Sequence, residues 1–130
     1  MSSWFNLAAI AVGGATGAVC RYGVTLAAAA LPGGSSALGT TAVNVLGCCL
    51  LGGLTALGDF ESNFAARCVL AIRVGFLGSL TTFSTFSAES AAMASAGKWG
   101  TSTAYVLANF LLGWLALTLA AALVKGWVDS

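Results

Sequence analysis

Charged side chains are scarce in this sequence. Lysine, arginine, aspartate and glutamate together make up 7% of its 130 residues, against about 25% in an average soluble domain. A small soluble domain has to cover most of its surface with polar groups, and so few charges cannot do that. The composition therefore excludes a soluble globule. A net charge of +1 with no basic cluster also argues against nucleic acid as a partner.

Histidine is absent altogether, which rules out a Ser–His dyad or triad. Of the four acidic residues, three fall in a predicted loop or at the tail, namely Asp59, Glu61 and Asp129. The four cysteines show no CxxC spacing, so we expect neither disulfides nor a zinc site. The sequence therefore predicts that this protein is not an enzyme.

Long apolar runs take the place of charge. Hydrophobic residues make up 58% of the sequence, and the mean hydropathy is +0.94. A bilayer-spanning helix needs about 20 mostly apolar residues. The N-terminus lacks the basic region of a signal peptide, so we interpret the first run as a retained span. We predict an all-α membrane protein, a single domain over residues 1–130, with four spans at about residues 4–31, 38–57, 67–96 and 101–124.

The third span is unusual in length and composition. As one continuous helix, about 30 residues would reach about 45 Å, well beyond a hydrocarbon core of about 30 Å. Its middle, residues 75–87, is rich in glycine, hydroxyl residues and phenylalanine. Such residues occur where a membrane helix breaks, because hydroxyl groups can bond freed backbone groups. The pattern leaves two alternatives, a helix broken near its middle or a long tilted helix with a polar packing face.

Small residues and basic residues bear on assembly and orientation. Gly13 and Gly17 form a GxxxG pair, and small residues let membrane helices approach closely. Because the bundle is small, we expect much of this surface to meet another copy of the chain. Orientation follows the Lys/Arg bias near the span ends, and this bias is almost absent, since Arg67 and Lys125 lie on one predicted side and Lys98 on the other. The chain is therefore expected to insert in both orientations.

Uncharged polar groups within the spans indicate function, because each is costly in a bilayer. They are Asn44, Tyr105, Asn109 and the hydroxyl residues of span 3, Thr81, Thr82, Ser84, Thr85 and Ser87. Hydrogen-bond donors without charge suit an anion that has to bind and leave again. Phe83 and Phe86 lie among them, and the positive edges of their rings would favour a small anion. The alternative is that these groups only hold helices together, at about 0.6–2 kcal/mol per hydrogen bond.

Three segments of the chain are similar to a known family. Residues 75–89, Gly-Phe-Leu-Gly-Ser-Leu-Thr-Thr-Phe-Ser-Thr-Phe-Ser-Ala-Glu, closely resemble the signature of the small fluoride channels, the Fluc (CrcB) family. Residues 14–22 in span 1 and 39–47 in span 2 resemble it as well, so the resemblance covers nearly the whole chain. It implies a fluoride-selective channel in the cell (inner or plasma) membrane for passive efflux of cytoplasmic fluoride. It also implies an antiparallel, dual-topology homodimer with two pores.

The resemblance implies roles for individual residues. The residues expected to line the fluoride pathway are Asn44, Phe83, Phe86, Thr40, Tyr105, Asn109 and Ser84. Arg21 matches the arginine near the aqueous vestibule. The backbone carbonyls of Gly78 and Thr81 match those that hold one structural sodium ion (Na+) at the dimer centre, and no organic cofactor is implied. Gly113 stands where some family members carry a hydroxyl group, so the polar track on span 4 departs from the family pattern there.

Two other classes of function stay open. A non-transporting membrane scaffold would use the same polar groups to hold helices together. A small proton-coupled exporter would need a titratable carboxylate deep in the bundle, and Glu89, near the end of span 3, is the sole candidate. The resemblance favours the channel over both.

Overall fold

The structure, a computed structural model, describes residues 3–58 and 62–130. Met1, Ser2 and residues 59–61, part of the polar stretch after the second predicted span, lie outside the described residues. Within the described residues the chain is helical and contains no β-strand. Its elements are α1 (Ser3–Ala30), α2 (Ser36–Ala56), α3 (Asn63–Leu70), a π-helical segment (Ala71–Leu77), α4 (Gly78–Leu80), α5 (Phe83–Ser95) and α6 (Trp99–Val128).

Four helical stretches are long and apolar enough to cross a membrane. They are α1, α2, the stretch Asn63–Ser95 that runs from α3 to α5, and α6. We call Asn63–Ser95 the third segment. The predicted all-helical membrane fold with four spans is thereby confirmed. Helix α6 extends to Val128, past the predicted end of the fourth span near residue 124.

Local sequence signals set several helix boundaries. The third segment begins at Asn63, earlier than the predicted start near residue 67, because the Ser62 hydroxyl accepts the Ala65 amide hydrogen at 3.1 Å and caps the helix. Gly58 and Gly97 follow α2 and α5 with φ values of +76°. Glycine readily adopts this left-handed conformation, which commonly ends a helix. Glycine therefore ends α2 and α5, and a serine cap begins the third segment.

Helix α1 packs against the third segment through two glycines. A methyl group at Gly13 would overlap the Ala71 carbonyl oxygen, and one at Gly17 would overlap the Phe76 carbonyl oxygen. Both glycines are buried within the chain. The expectation that this GxxxG surface meets another copy is therefore wrong for these two positions, because their close approach is to the third segment of the same chain.

Helix α2 lies at the centre of the bundle and packs most extensively on α6. At Gly52 the two helices come so close that a methyl group would overlap the Leu117 backbone. On another face, Val43 of α2 forms the buried core with Leu77 and Leu80 of the third segment. Most other large apolar side chains are exposed on the outside of the bundle. Such a surface is stable in lipid or against another subunit and not in water.

The third segment is not uniformly α-helical. After the π-helical segment and the single turn α4, Thr81 and Thr82 adopt extended backbone angles before α5 begins. Their φ and ψ angles are −79° and 153° for Thr81, and −148° and 118° for Thr82. Backbone groups that leave the helical pattern inside a membrane protein must find other hydrogen-bond partners. The partners found here build the candidate site.

Candidate functional site

The Asn44 side chain of α2 bonds the extended backbone of the third segment. Its Oδ1 atom accepts the Thr82 amide hydrogen at 2.8 Å, and its Nδ2 atom donates to the Thr82 carbonyl oxygen at 3.3 Å. The same Nδ2 atom donates to Asn109 Oδ1 on α6 at 3.0 Å. One amide side chain therefore connects α2, the third segment and α6 at the point where helical geometry is lost.

These bonds take the usual donors away from two carbonyl groups. In an uninterrupted α-helix the Gly78 carbonyl would accept the Thr82 amide hydrogen, but that amide donates to Asn44. In the same way the Thr81 carbonyl would accept the Thr85 amide hydrogen, which instead donates to the Thr82 hydroxyl at 3.3 Å and caps α5. Both Gly78 and Thr81 line the groove described below. The two residues expected to hold a cation thus carry carbonyl oxygens without their helical donors.

Arg21 of α1 bonds a third carbonyl group of the same stretch. Its Nε atom donates to the Ser79 carbonyl oxygen at 3.0 Å. A cationic side chain is favoured at the end of a helical stretch, where carbonyl groups lack donors and the helix dipole is negative. Arg21, expected near an aqueous vestibule, thus contacts the interrupted backbone from the α1 side. The described lining of the groove does not include it.

A series of hydrogen bonds continues from Asn109 along α6. Asn109 Nδ2 donates to the Thr41 hydroxyl on α2 at 3.0 Å and to the Tyr105 carbonyl oxygen at 3.1 Å. The Tyr105 hydroxyl in turn donates to the Glu89 carboxylate of α5 at 2.7 Å. The sequence did not single out Thr41, although its spacing of three residues from Asn44 places both on one face of α2. Two expected pathway residues, Asn109 and Tyr105, are therefore linked to Glu89.

The two expected pathway phenylalanines lie beside this series of bonds. Phe83 is 79% exposed, and its ring centroid is 5.7 Å from that of Phe86, with the ring planes at 54°. Phe86 also contacts the Tyr105 ring, at 5.5 Å and 45°. Tilted pairs of this kind turn the positive edge of one ring toward its neighbour. The three aromatic rings therefore follow one another along α5 and α6.

A groove of about 830 Å³ runs along these residues. Its lining is mainly apolar, and its polar side chains include Asn44, Asn109 and Arg73. Gly113 also lines the groove, and a methyl group there would lie 3.3 Å from Cys48 Sγ. This position therefore supplies no hydroxyl group, and the neighbouring thiol leaves little room for one. A groove of this size, with few polar groups in an apolar lining, is typical of a binding site.

The remaining expected pathway residues have different surroundings. Thr40 is 1% exposed, and its hydroxyl has no hydrogen-bond partner in the described part of the chain. Ser84 is exposed, and its hydroxyl oxygen lies 3.4 Å from that of Thr82. A buried hydroxyl without a partner is unusual. Thr40 therefore carries an unused hydrogen-bonding group inside the bundle.

The arrangement offers hydrogen-bond donors and carbonyl oxygens with little charge. The described residues contain no group of three or more His, Cys, Asp or Glu side chains that could hold a metal ion. The freed backbone carbonyls are hard ligands, which suit an alkali cation better than a soft metal. Amide and hydroxyl donors beside positive ring edges suit a small anion.

Comparison with known proteins identifies the family. The family model described as CrcB-like protein, Camphor Resistance (CrcB), matches residues 8–121. A protein of Rhodopirellula baltica named Fluoride-specific ion channel FluC is 44% identical over 63 residues, which is 48% of this chain and 43% of the relative. Proteins of the same name from Saccharophagus degradans and Bordetella parapertussis are 44% identical over 54 residues and 55% identical over 49 residues, covering 42% and 38% of this chain. The matched segments span 41% and 38% of those two relatives, so the chain matches less than half the length of each of the three. Because the family model matches most of the chain, this protein belongs to the CrcB-like family.

Proposed function

We propose that this chain forms a fluoride-selective ion channel, through which cytoplasmic fluoride leaves the cell passively. The observation that carries the proposal is the bonding of Asn44 to Thr82 and Asn109 beside the rings of Phe83 and Phe86. The choice of ion rests on the names of the relatives. Hydrogen fluoride crosses membranes as a neutral molecule and ionises inside the cell. A leak specific for the anion reduces the resulting toxicity without an energy source.

In this proposal uncharged donors replace water around the ion. The Thr40 hydroxyl has no hydrogen-bond partner in the described part of the chain and can donate to fluoride directly. The amides of Asn44 and Asn109 already donate both of their hydrogens, so each would exchange one of these bonds for a bond to fluoride as the ion passes. Donors without full charge bind an anion weakly enough for it to leave, which conduction requires. The rings of Phe83 and Phe86 add positive edges and keep the passage narrow. A narrow, weakly polar passage disfavours the larger chloride ion.

The proposed assembly is an antiparallel homodimer with two pathways. Phe83 is 79% exposed and lies on the groove, and a second copy is proposed to cover it. The weak Lys/Arg bias allows the chain to insert in both orientations. In such a pair the groove of each copy faces the third segment of the other, so both copies enclose each pathway and the two-fold symmetry closes the assembly.

We also propose that one sodium ion is bound where the two third segments cross. The carbonyl groups of Gly78 and Thr81 support this, because the amides that would bond them in a helix donate elsewhere. A two-fold axis would bring four such oxygens together, a set of hard ligands without charge. When bound, the cation offsets the repulsion between the carbonyl dipoles. Its role is structural, and it is not transported with fluoride.

Fluoride efflux from liposomes that contain only the purified protein tests this proposal against its rivals. A channel gives efflux that follows the applied voltage, and it releases no chloride. A scaffold gives no efflux. A coupled exporter, with Glu89 as the titratable group, responds to an imposed proton gradient at zero voltage. The variant Leu123→Ala, which changes a 75% exposed side chain outside the groove lining, is a matched control that should conduct normally.

Added lysines test the antiparallel assembly. Ser36→Lys with Leu38→Lys places two positive charges at exposed positions at the start of α2. Gly126→Lys with Ser130→Lys places two at the other end of the bundle. Each pair should fix its chain in one orientation and abolish efflux when expressed alone, while co-expression of the two should restore it. Full efflux from either fixed chain alone would contradict the antiparallel dimer.

A further inference from the structure

Arg73 is a charged residue of the third segment that the proposed pathway does not use. It lies in the π-helical segment, is half-buried and lines the groove. Two other arginines have partners, since Arg21 bonds the Ser79 carbonyl and Arg67 lies over the Phe5 ring at 5.1 Å. The described part of the chain offers the Arg73 guanidinium neither a hydrogen bond nor a carboxylate. An unpaired charge at such a position in a membrane is costly.

Glu89 is a second unpaired charge, of opposite sign. It is half-buried in α5, and its carboxylate accepts the Tyr105 hydroxyl at 2.7 Å. The Tyr105 ring packs on Phe86, which lines the groove. A carboxylate can accept more hydrogen bonds than one hydroxyl provides, and no cation contacts it among the described residues. Each chain therefore holds two opposite intramembrane charges that have no charged partner within it.

The middle of the third segment relates these two positions. Arg73 lies eight residues before Thr81, and Glu89 lies eight residues after it, which is about 12 Å in each direction at the helical rise. Within one chain the two charges therefore lie on opposite sides of the extended stretch and cannot meet. In two antiparallel copies that cross at this stretch, Arg73 of one copy comes to the same depth as Glu89 of the other.

We propose that Arg73 of each copy pairs with Glu89 of the second copy across the groove. The dimer then holds two such ion pairs, one beside each pathway, and this inference rests on the antiparallel assembly of the proposed function. Each pair neutralises two intramembrane charges and fixes the carboxylate that accepts the Tyr105 hydroxyl. Arg73 is thus a positioning residue that acts on the pathway through Glu89. It also selects the orientation of the second copy, because a parallel copy would bring Arg73 against Arg73.

Charge reversal in separate chains tests the pair without a measurement of flux. Chains with Arg73→Glu and chains with Glu89→Arg, carrying different tags, are purified, mixed in detergent and left to exchange subunits. A homodimer of either variant has like charges at both contacts, whereas a mixed dimer has opposite charges at both. Random exchange makes about half of the dimers mixed. We expect mixed dimers to make up more than about three quarters of all dimers. This fraction corresponds to a shift of about tenfold in the equilibrium constant for the conversion of the two homodimers into mixed dimers, or about 1.4 kcal/mol.

A mixture of the Arg73→Glu chain with the wild type is the matched control. The mixed dimer has one like-charge contact and one Arg73–Glu89 contact, which is the average of the two homodimers. The fraction of mixed dimers should therefore stay at about one half. A fraction near one half for the two charge-reversed chains would overturn the proposed pair. If that result came with lost flux in Arg73→Gln and normal flux in Arg73→Lys, Arg73 would bind an anion instead.

Co-expression keeps the test decisive if a charge-reversed chain does not assemble alone. Recovery of dimers only when both reversed chains are present supports the pair. If no dimers are recovered, the test is a double-mutant cycle on the dimer dissociation constant with Arg73→Gln and Glu89→Gln. A coupling of less than about twofold in that constant would overturn the pair. Dimers that show the coupling but conduct no fluoride would refute the channel and leave the pair standing. A wild-type chain that stays monomeric would refute the pair and the antiparallel assembly on which it rests.

Discussion

Replacement of Asn44 by alanine should destabilise the protein and abolish fluoride efflux. The Asn44 side chain makes three hydrogen bonds, two with the Thr82 backbone and one with the Asn109 side chain. Hydrogen bonds between membrane helices contribute about 0.6 kcal/mol each on average, so the loss of three costs about 2 kcal/mol. That cost corresponds to more than a tenfold change in an equilibrium constant, on a scale of about 1.4 kcal/mol per factor of ten.

The backbone should respond to the same substitution. Without Asn44 Oδ1, the Thr82 amide is free to donate to the Gly78 carbonyl, as in an uninterrupted helix. The third segment would then regain helical geometry at a carbonyl proposed to face the sodium ion. Asn44→Ala removes the wild-type acceptor of the Thr82 amide, so protection of this amide from hydrogen exchange that persists beside the loss of flux would report this change.

Thr55→Ala is the matched control on the same helix. The Thr55 hydroxyl donates only to the Gly52 carbonyl within α2, at 2.8 Å, so its loss should change neither flux nor stability. The assays are fluoride efflux from liposomes and thermal melting of the detergent-solubilised protein. Efflux and melting temperature of Asn44→Ala equal to those of Thr55→Ala would refute the role assigned to Asn44.

Three further substitutions or conditions test separate parts of the account. Phe83→Ile or Phe86→Ile keeps apolar bulk but removes a ring-edge contact of about 0.5–1.5 kcal/mol. Each substitution should slow efflux by up to about tenfold in a protein that stays dimeric by size exclusion. Unchanged efflux in both variants would mean that the rings only pack against their neighbours. Gly17→Val has no room at the Phe76 carbonyl oxygen and should lower stability by about 1–3 kcal/mol in thermal melting, whereas Gly23→Ala, with open space around it, should not. Removal of sodium by exhaustive dialysis should lower efflux slowly, because the ion is structural. Gly78→Val should weaken the dimer without changing the preference for fluoride over chloride. Full activity in sodium-free buffer, with no other cation in the site, would contradict the sodium proposal.

The spans and several site residues could be predicted because their signals are local. An uncharged run of sufficient length predicts a span by itself, and Asn44, Asn109 and Tyr105 stand out because polar groups are costly in such runs. The contact between Phe83 and Phe86 follows from their spacing of three residues on one helix face. These inferences need only the composition and period of a single segment.

The remaining features depend on which helix faces meet, and a single sequence does not contain that information. The GxxxG pair of α1 could have met another copy, but it packs against the third segment of its own chain. The bond from Arg21 to the Ser79 carbonyl joins residues 58 positions apart, and nothing near either residue indicates it. Thr41 takes part in the series of hydrogen bonds from Asn109 only because α6 packs Asn109 against α2.

The central claim, that this chain conducts fluoride selectively, is tested most directly by the reversal potential of its current. The purified protein is placed in a planar bilayer with a tenfold fluoride gradient and an opposite tenfold chloride gradient. A fluoride-selective channel gives a current that reverses near the fluoride equilibrium potential, about 59 mV from zero for a monovalent ion. A reversal near zero, a reversal at the opposite, chloride potential, or the absence of any current would contradict it.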